Sequence, residues 1–202
     1  MRYYFAPLEG ITDSIFRRLH SKYFPGIDRY YTPFLSPTVH RGLTAREARE
    51  IPRADSLTYE AVPQLLTKVP EDFLWLAGVC ADLGYKEVNL NTGCPSGTVT
   101  AKGKGSGMLR DLQALEAFLD EIYSKAPLPI SVKTRIGFYE KDEFPAILEL
   151  YNRYPIHELT IHPRIRDQFY KGAVDMEAFD YALRHSKNPL CYNGDLISLK
   201  KV

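Results

Sequence analysis

Cys94 stands between a glycine and a proline in the run NLNTGCPSGTVTAKGKGSGML, residues 89–109. Gly93 permits positive φ, and Pro95 bars a helix from containing Cys94. The thiol is therefore expected on a loop just past the carboxyl end of the strand-like EVNLN (87–91). A loop thiol acts as an acid or a nucleophile once its pKa is tuned. The competing reading is a small buried thiol in a tight turn. The glycine-rich AKGKGSG that follows fits neither the Walker nor the dinucleotide fingerprint. It reads either as a phosphate cradle or as a flexible loop kept soluble by two lysines, of a kind that often closes over a site.

Other residues share this character of polar chemistry at the end of an apolar run. Lys133 lies inside ISVKTR. A lysine within a buried strand is costly unless it meets an anion or has a lowered pKa. Such a lysine also admits Schiff-base chemistry, as in a barrel lyase or aldolase. An outward lysine paired with an acid is the plain alternative. His162 ends LTIHP and is followed by the polar PRIRDQFYKG. It is either a hydrogen-bonded core residue or part of a site. Gln64 opens a strand, and Asn193-Gly194-Asp195 ends one. Amides placed so can read the donor and acceptor edge of a planar heterocycle. Asn-Gly-Asp is equally good turn chemistry.

The elements that must position these residues alternate in type. Strands are expected at 3–8, 29–34, 63–66, 87–91, 130–135, 158–163 and 189–194. Helices are expected in PEDFLWLAGVCADLG, DLQALEAFLDEIYSKA, EFPAILELYNRY and VDMEAFDYALRHS. Pro70 with two acids starts the first and Gly84 ends it; Asp111 caps the second; Pro145 sits near the start of the third. Alternating β and α implies a parallel sheet. A doubly wound sheet concentrates its ligand residues at one switch point, whereas a TIM (β/α)8-type barrel spreads them over many strand ends. Here they follow strand after strand: Glu9, Gln64, Asn91 with Cys94, Lys133 with Arg135, His162 with Arg164, Asn193 with Asp195. That favours the barrel. With seven strands, and about 250 residues typical of the complete fold, an incomplete barrel is expected, ending in DLISLKKV as a seventh helix would begin.

With 202 residues, 45% hydrophobic and 25% charged, the chain suits one soluble domain over 1–202. Its net charge of +1 gives no global basic field. The start, MRYYFAPLEG, lacks the apolar core of a signal peptide. The longest apolar run, FLWLAGVCA, falls far short of the roughly 20 residues that span a bilayer. Three cysteines do not form a disulfide framework, and the five histidines match no zinc spacing. Cys80 and Cys191 read as core residues. A cytoplasmic protein, monomeric and without metal, is expected.

Taken in order, APLEGITDSIFR (6–17), QLL (64–66), NLNTGCPSGTVTAKGKGSGML (89–109), VKTRIG (132–137), IHPRIRDQFYKGAVD (161–175) and YNGD (192–195) resemble the tRNA-dihydrouridine synthase family. The likeness covers nearly the whole chain. It implies an FMN-bound barrel that reduces the 5,6 double bond of uridines in tRNA with NADPH. By that likeness Pro7, Leu8 and Glu9 lie along the flavin and Gln64 bonds its ring edge. Lys133 faces the N1/O2 region, His162 also approaches, and Asn193, Gly194 and Asp195 serve the ribityl and phosphate side. Cys94 is the general acid, and Asn91, Arg164 and Arg166 hold the flipped uracil and nearby phosphates. Leu8 replaces the methionine common in the family, a volume-conserving swap. The resemblance also implies an eighth strand and a helical tRNA-binding domain that this chain lacks, so an inactive truncated fragment is the alternative reading.

Overall fold

The structure, a computed structural model, describes residues 1–38 and 40–196. Eight strand segments alternate with helices: β1 Tyr4–Phe5, β2 Arg29–Tyr31, β3 Ala61–Val62, β4 Gln64–Leu65, β5 Val88–Thr92, β6 Ile130–Gly137, β7 Leu159–Ile165 and β8 Leu190–Tyr192. Every pairing is parallel, in the orders β1-β2-β3 and β4-β5-β6-β7-β8. Seven strands were expected. The eighth segment arises because Pro63, which has no N–H to give a ladder, divides one strand into β3 and β4. A parallel bridge from Leu35 to Leu65 carries the pairing across that break. The result is a parallel α/β fold in keeping with a partial TIM barrel. Among the described residues β1 pairs only with β2 and β8 only with β7, so no closure is found. The end of DLISLKKV, beyond Leu196, lies outside the described residues.

Period-two alternation sorts the side chains. Val88 and Leu90, Ile130 and Val132, Leu159 and Ile161 point away from the barrel axis and are fully buried or nearly so. They pack against α3 (Pro70–Asp82) through Phe73, Leu76 and Cys80, α5 (Leu112–Lys125) through Leu115, Phe118 and Leu119, and α6 (Phe144–Tyr151) through Ile147 and Leu148. Each such side chain contributes about 1.5–3 kcal/mol by leaving water. The intervening residues, Asn89 and Asn91, Ser131, Lys133 and Arg135, Thr160, His162 and Arg164, turn inward and give the barrel a polar interior.

Asp111 caps α5 by accepting from Ala114 N at 3.0 Å, and Pro70 occupies the first turn of α3. Three helices were not foreseen: α1 (Ser14–Tyr23), α2 (Ala45–Glu50) and α4 (Gly97–Thr100). α7 spans Met176–His185. Buried Arg17 ties α1 to α2, donating to Glu50 Oε2 and Glu50 O, each at 2.8 Å, and to Thr12 O. That anchorage fixes the loop after β1. No helix among the described residues is long and apolar enough to cross a membrane.

Candidate functional site

A cavity of about 350 Å³ opens at the carboxyl ends of the strands, where parallel barrels place their ligands. Ala6, Pro7, Leu8, Pro33 and Phe34 make an apolar wall. Gln64, Asn91, Cys94, Lys133, Arg135 and His162 make the polar one. Register does the assembling, pairing Asn91 with Lys133 and Arg135 with His162 on neighbouring strands. The first-strand loop is held locally, with Leu8 N donating to Thr12 Oγ1 at 2.8 Å and Leu8 O accepting from Ile11 N and Thr12 N. Glu9 is paired with Arg46.

The Cys94 loop is fixed through its backbone groups. Asn91 Oδ1 accepts from Gly93 N at 3.0 Å and Cys94 N at 2.9 Å. Cys94 O accepts from Ser106 N and Ser106 Oγ. Gly93 was expected to serve by positive φ. Its φ is ordinary, and glycine is needed there for close approach: a Cβ would stand 3.2 Å from Lys133 O on β6. Gly105 does have positive φ (57°), and a Cβ there would lie 2.8 Å from Cys94 O. AKGKGSG (101–107), read as a phosphate cradle or a flexible loop, runs from the end of α4 into a 3-10 turn over Gly105–Arg110, and its last three residues are buried.

Asn91 also starts a ladder of amides. Its Nδ2 donates to Gln64 Oε1 at 2.7 Å, Gln64 Nε2 to Asn89 Oδ1 at 2.8 Å, and Asn89 Nδ2 to Ser131 Oγ at 2.9 Å. Backbone N–H groups can only donate, so Gly93 and Cys94 fix which end of Asn91 faces them. Each amide then fixes the next. The ladder thus has one orientation, dictated by the loop it supports.

Electrostatics divides the polar groups by task. Burial pushes the Cys94 thiol up, with the Ser96 backbone and then Arg135 and Lys133 pulling it back, so the thiol keeps its proton near neutrality. Burial, then Arg135, lower Lys133 to about 8. Lys133 makes no ion pair among the described residues. His162 is held down to about 3 by burial and by Lys133, Arg135 and Arg164, so it is neutral. Arg164 Nη1 lies 2.9 Å from His162 Nε2. An arginine only donates, so Nε2 accepts and the imidazole proton sits on Nδ1. Arg164 itself grips Asp195 with both nitrogens, at 3.0 and 2.6 Å.

The cavity gathers Pro7, Leu8, Glu9, Gln64, Asn91, Cys94, Lys133, His162, Asn193, Gly194 and Asp195. Arg164 and Arg166 do not line it. Arg164 is 1% exposed, beneath His162 and Asp195. Arg166 lies over the Phe138 and Phe169 rings and reaches Asp167 and Thr100. Tyr170, Pro33 and Phe34 line the cavity without having been singled out, and Arg135, noted only beside Lys133 at a strand end and given no role, lines it too. Arg135 donates to Gly93 O, Ile165 O and Phe169 O at 2.9, 3.0 and 2.7 Å, joining the Cys94 loop to the segment after β7. Its place at the end of ISVKTR was the sequence signal for it. A mobile-proton donor, an unpaired ammonium, amides and a neutral imidazole beside an apolar wall suit a planar heterocycle with an electron-rich edge, which is the chemistry of a flavin ring. The residues present therefore fit FMN. No cluster of three or more metal-ligating side chains occurs among the described residues.

Parallel topology, a polar interior and a cavity at the strand ends place the chain in the barrel class of α/β proteins. Within that class it belongs to the dihydrouridine synthase family, whose model matches residues 4–202. It is 32% identical over 200 residues to a probable tRNA-dihydrouridine synthase 1 of Synechocystis, covering 96% of this chain and 54% of the relative. It is 30% identical over 202 residues to a probable tRNA-dihydrouridine synthase of Rickettsia bellii, covering 97% and 60%. With tRNA-dihydrouridine synthase B of Proteus vulgaris it shares 28% over 192 residues, covering 95% and 58%. The chain thus spans a little over half the length of these relatives.

Proposed function

We propose that residues 1–202 form an FMN-binding catalytic barrel that reduces uridine in tRNA to dihydrouridine. The observation that carries this reading is the half-buried, protonated Cys94, positioned through its backbone by Asn91 and Ser106 in a cavity that also presents Lys133, Gln64 and His162. Family membership and the relatives' names support the same activity.

In this reading Lys133 and Gln64 hold the ring edge of FMN, His162 offers its Nδ1 proton nearby, and Asn193 to Asp195 serve its ribityl and phosphate side. Bound FMN supplies a hydride for uracil C6, with NADPH as the ultimate reductant. Negative charge then builds over C5 and O4 of the base. Cys94 donates its proton to C5 from the opposite face, becomes a thiolate and regains a proton from water. A thiol with a raised pKa suits this, since it must arrive protonated and give its proton only to a strong carbanionic base. Asn91 contributes by holding Cys94 in place. Schiff-base chemistry at Lys133 gives no use to the Asn91–Cys94 geometry.

The test is the visible spectrum of the purified chain after FMN addition and desalting, followed by assay of dihydrouridine in tRNA. Retained flavin bands and dihydrouridine formation are expected. Flavin retained without product marks an inactive fragment, and failure to retain flavin contradicts the cofactor site proposed for this chain.

A further inference from the structure

Outside the cavity, around Ser36, lies a group of lysines that the reaction chemistry does not use. Lys104 Nζ donates to Ser36 Oγ at 2.9 Å, two residues beyond Phe34 of the cavity wall. Lys68 Nζ rests against Gly103, where a Cβ would stand 3.3 Å from it. Lys102 and Lys104 flank that glycine, and Lys68 and Lys102 are exposed. The three ammonium groups repel one another: burial first, then Lys102 and Lys68, lower the Lys104 pKa against the pull of Asp72. Asp72 is the carboxylate in reach, and Arg41 already pairs with it at 3.3 Å. Lys68, Lys102 and Lys104 make no ion pair among the described residues. Lys102 and Lys104 belong to the stretch that follows Cys94, whose carbonyl is held by Ser106, and Lys68 reaches it from the segment after β4.

Three lysines gathered at some cost in mutual repulsion, with one nearby carboxylate, Asp72, that Arg41 already pairs with, form a surface for a polyanion. Their ammonium groups are compact point charges, suited to phosphates rather than to base edges. We propose that Lys68, Lys102 and Lys104 form a phosphate track that holds the RNA backbone beside the cavity while the target base enters it. This rests on the tRNA reading above and adds the surface by which the catalytic barrel itself grips its substrate.

The test measures binding of an unmodified tRNA transcript to the FMN-supplemented protein from 50 to 200 mM salt. Each phosphate neutralised adds about 0.7–0.9 to the slope of log affinity on log salt. The Lys68→Ala/Lys102→Ala double variant leaves the Ser36 bond intact. It is expected to flatten the slope by more than about 1 and to weaken binding about tenfold at 100 mM salt, while Lys68→Arg/Lys102→Arg keeps both. Adding Lys104→Ala is expected to flatten it further. An unchanged slope and affinity in the alanine variants overturns the track, as does absence of tRNA binding by the unaltered chain. Dihydrouridine is assayed on the same samples after addition of NADPH. Lysine-dependent binding without product keeps the track and removes the reductase reading. Product with lysine-independent binding does the reverse.

Discussion

Asn91 Oδ1 accepts the Cys94 amide at 2.9 Å and the Gly93 amide at 3.0 Å, so one side chain sets the position of the thiol. Asn91→Ala leaves two inward amides without an acceptor, at about 1–3 kcal/mol each. A displacement near 1 Å at the reacting group costs on the order of 100-fold in rate. Turnover of that variant is expected to fall by about that factor, with faster iodoacetamide labelling of Cys94. Asn91→Asp keeps both amide bonds but sets a carboxylate against Gln64 Oε1, and its turnover should lie between. Wild-type turnover and labelling in Asn91→Ala would contradict the positioning role.

Arg135 joins Gly93 O to Ile165 O and Phe169 O. Lysine cannot reproduce that fork. Arg135→Lys is expected to lose roughly 3 kcal/mol or more of stability, since charged hydrogen bonds contribute about 1.5–3 kcal/mol each. Urea unfolding followed by tryptophan fluorescence reads this. A change below about 1 kcal/mol would show that the clamp is dispensable.

His162 sets an acid limit. Its folded pKa of about 3 lies below the usual 6.5, so the unfolded chain binds the extra proton first as pH falls. The histidine therefore costs no stability above pH 6.5. Between 6.5 and about 3 it removes up to about 1.4 kcal/mol per pH unit. His162→Gln is expected to be less stable at pH 7 through lost contacts, yet to show a shallower decline between pH 6 and 4. Parallel stability profiles for the two proteins would contradict a neutral buried imidazole.

Lys133 changes charge near pH 8. It is positive below that pH, so its attraction for an electron-rich ring edge is present there and fades above it. FMN affinity is expected to decline from pH 7 to 9.5 in the wild type. In Lys133→Met it is expected to be lower and nearly flat over that range. Fluorescence titration of FMN at each pH checks this, and equal pH dependence in both proteins would contradict it.

Much of this was legible in the sequence. EVNLN, ISVKTR and ELTIHP announce strands whose alternate residues are polar, and that alternation is the barrel's inward face. The polar residue after each strand marked the cavity because parallel strands bring their carboxyl ends together. What escaped depends on distance. Gly93 needs no Cβ because β6 lies against it, a contact 40 residues away in sequence. Arg135 reaches carbonyls 30 and 34 residues on. Pro33 and Phe34 face the cavity only because β2 lies beside β3. The Asp13 cap of α1, which accepts from Phe16 N at 2.8 Å, was a local signal available to a closer reading. The order of the 97–110 stretch was not, because its glycines promise freedom and only the packing around Cys94 removes it.

The most direct test of the account is single-turnover reaction of Cys94→Ala, loaded with FMN, with unmodified tRNA. NADPH is expected to reduce the flavin at the wild-type rate, while flavin reoxidation by tRNA and dihydrouridine formation fall by about 100-fold or more, the span of a lost general acid. Unchanged dihydrouridine formation in that variant would remove Cys94 from the chemistry and contradict the central claim.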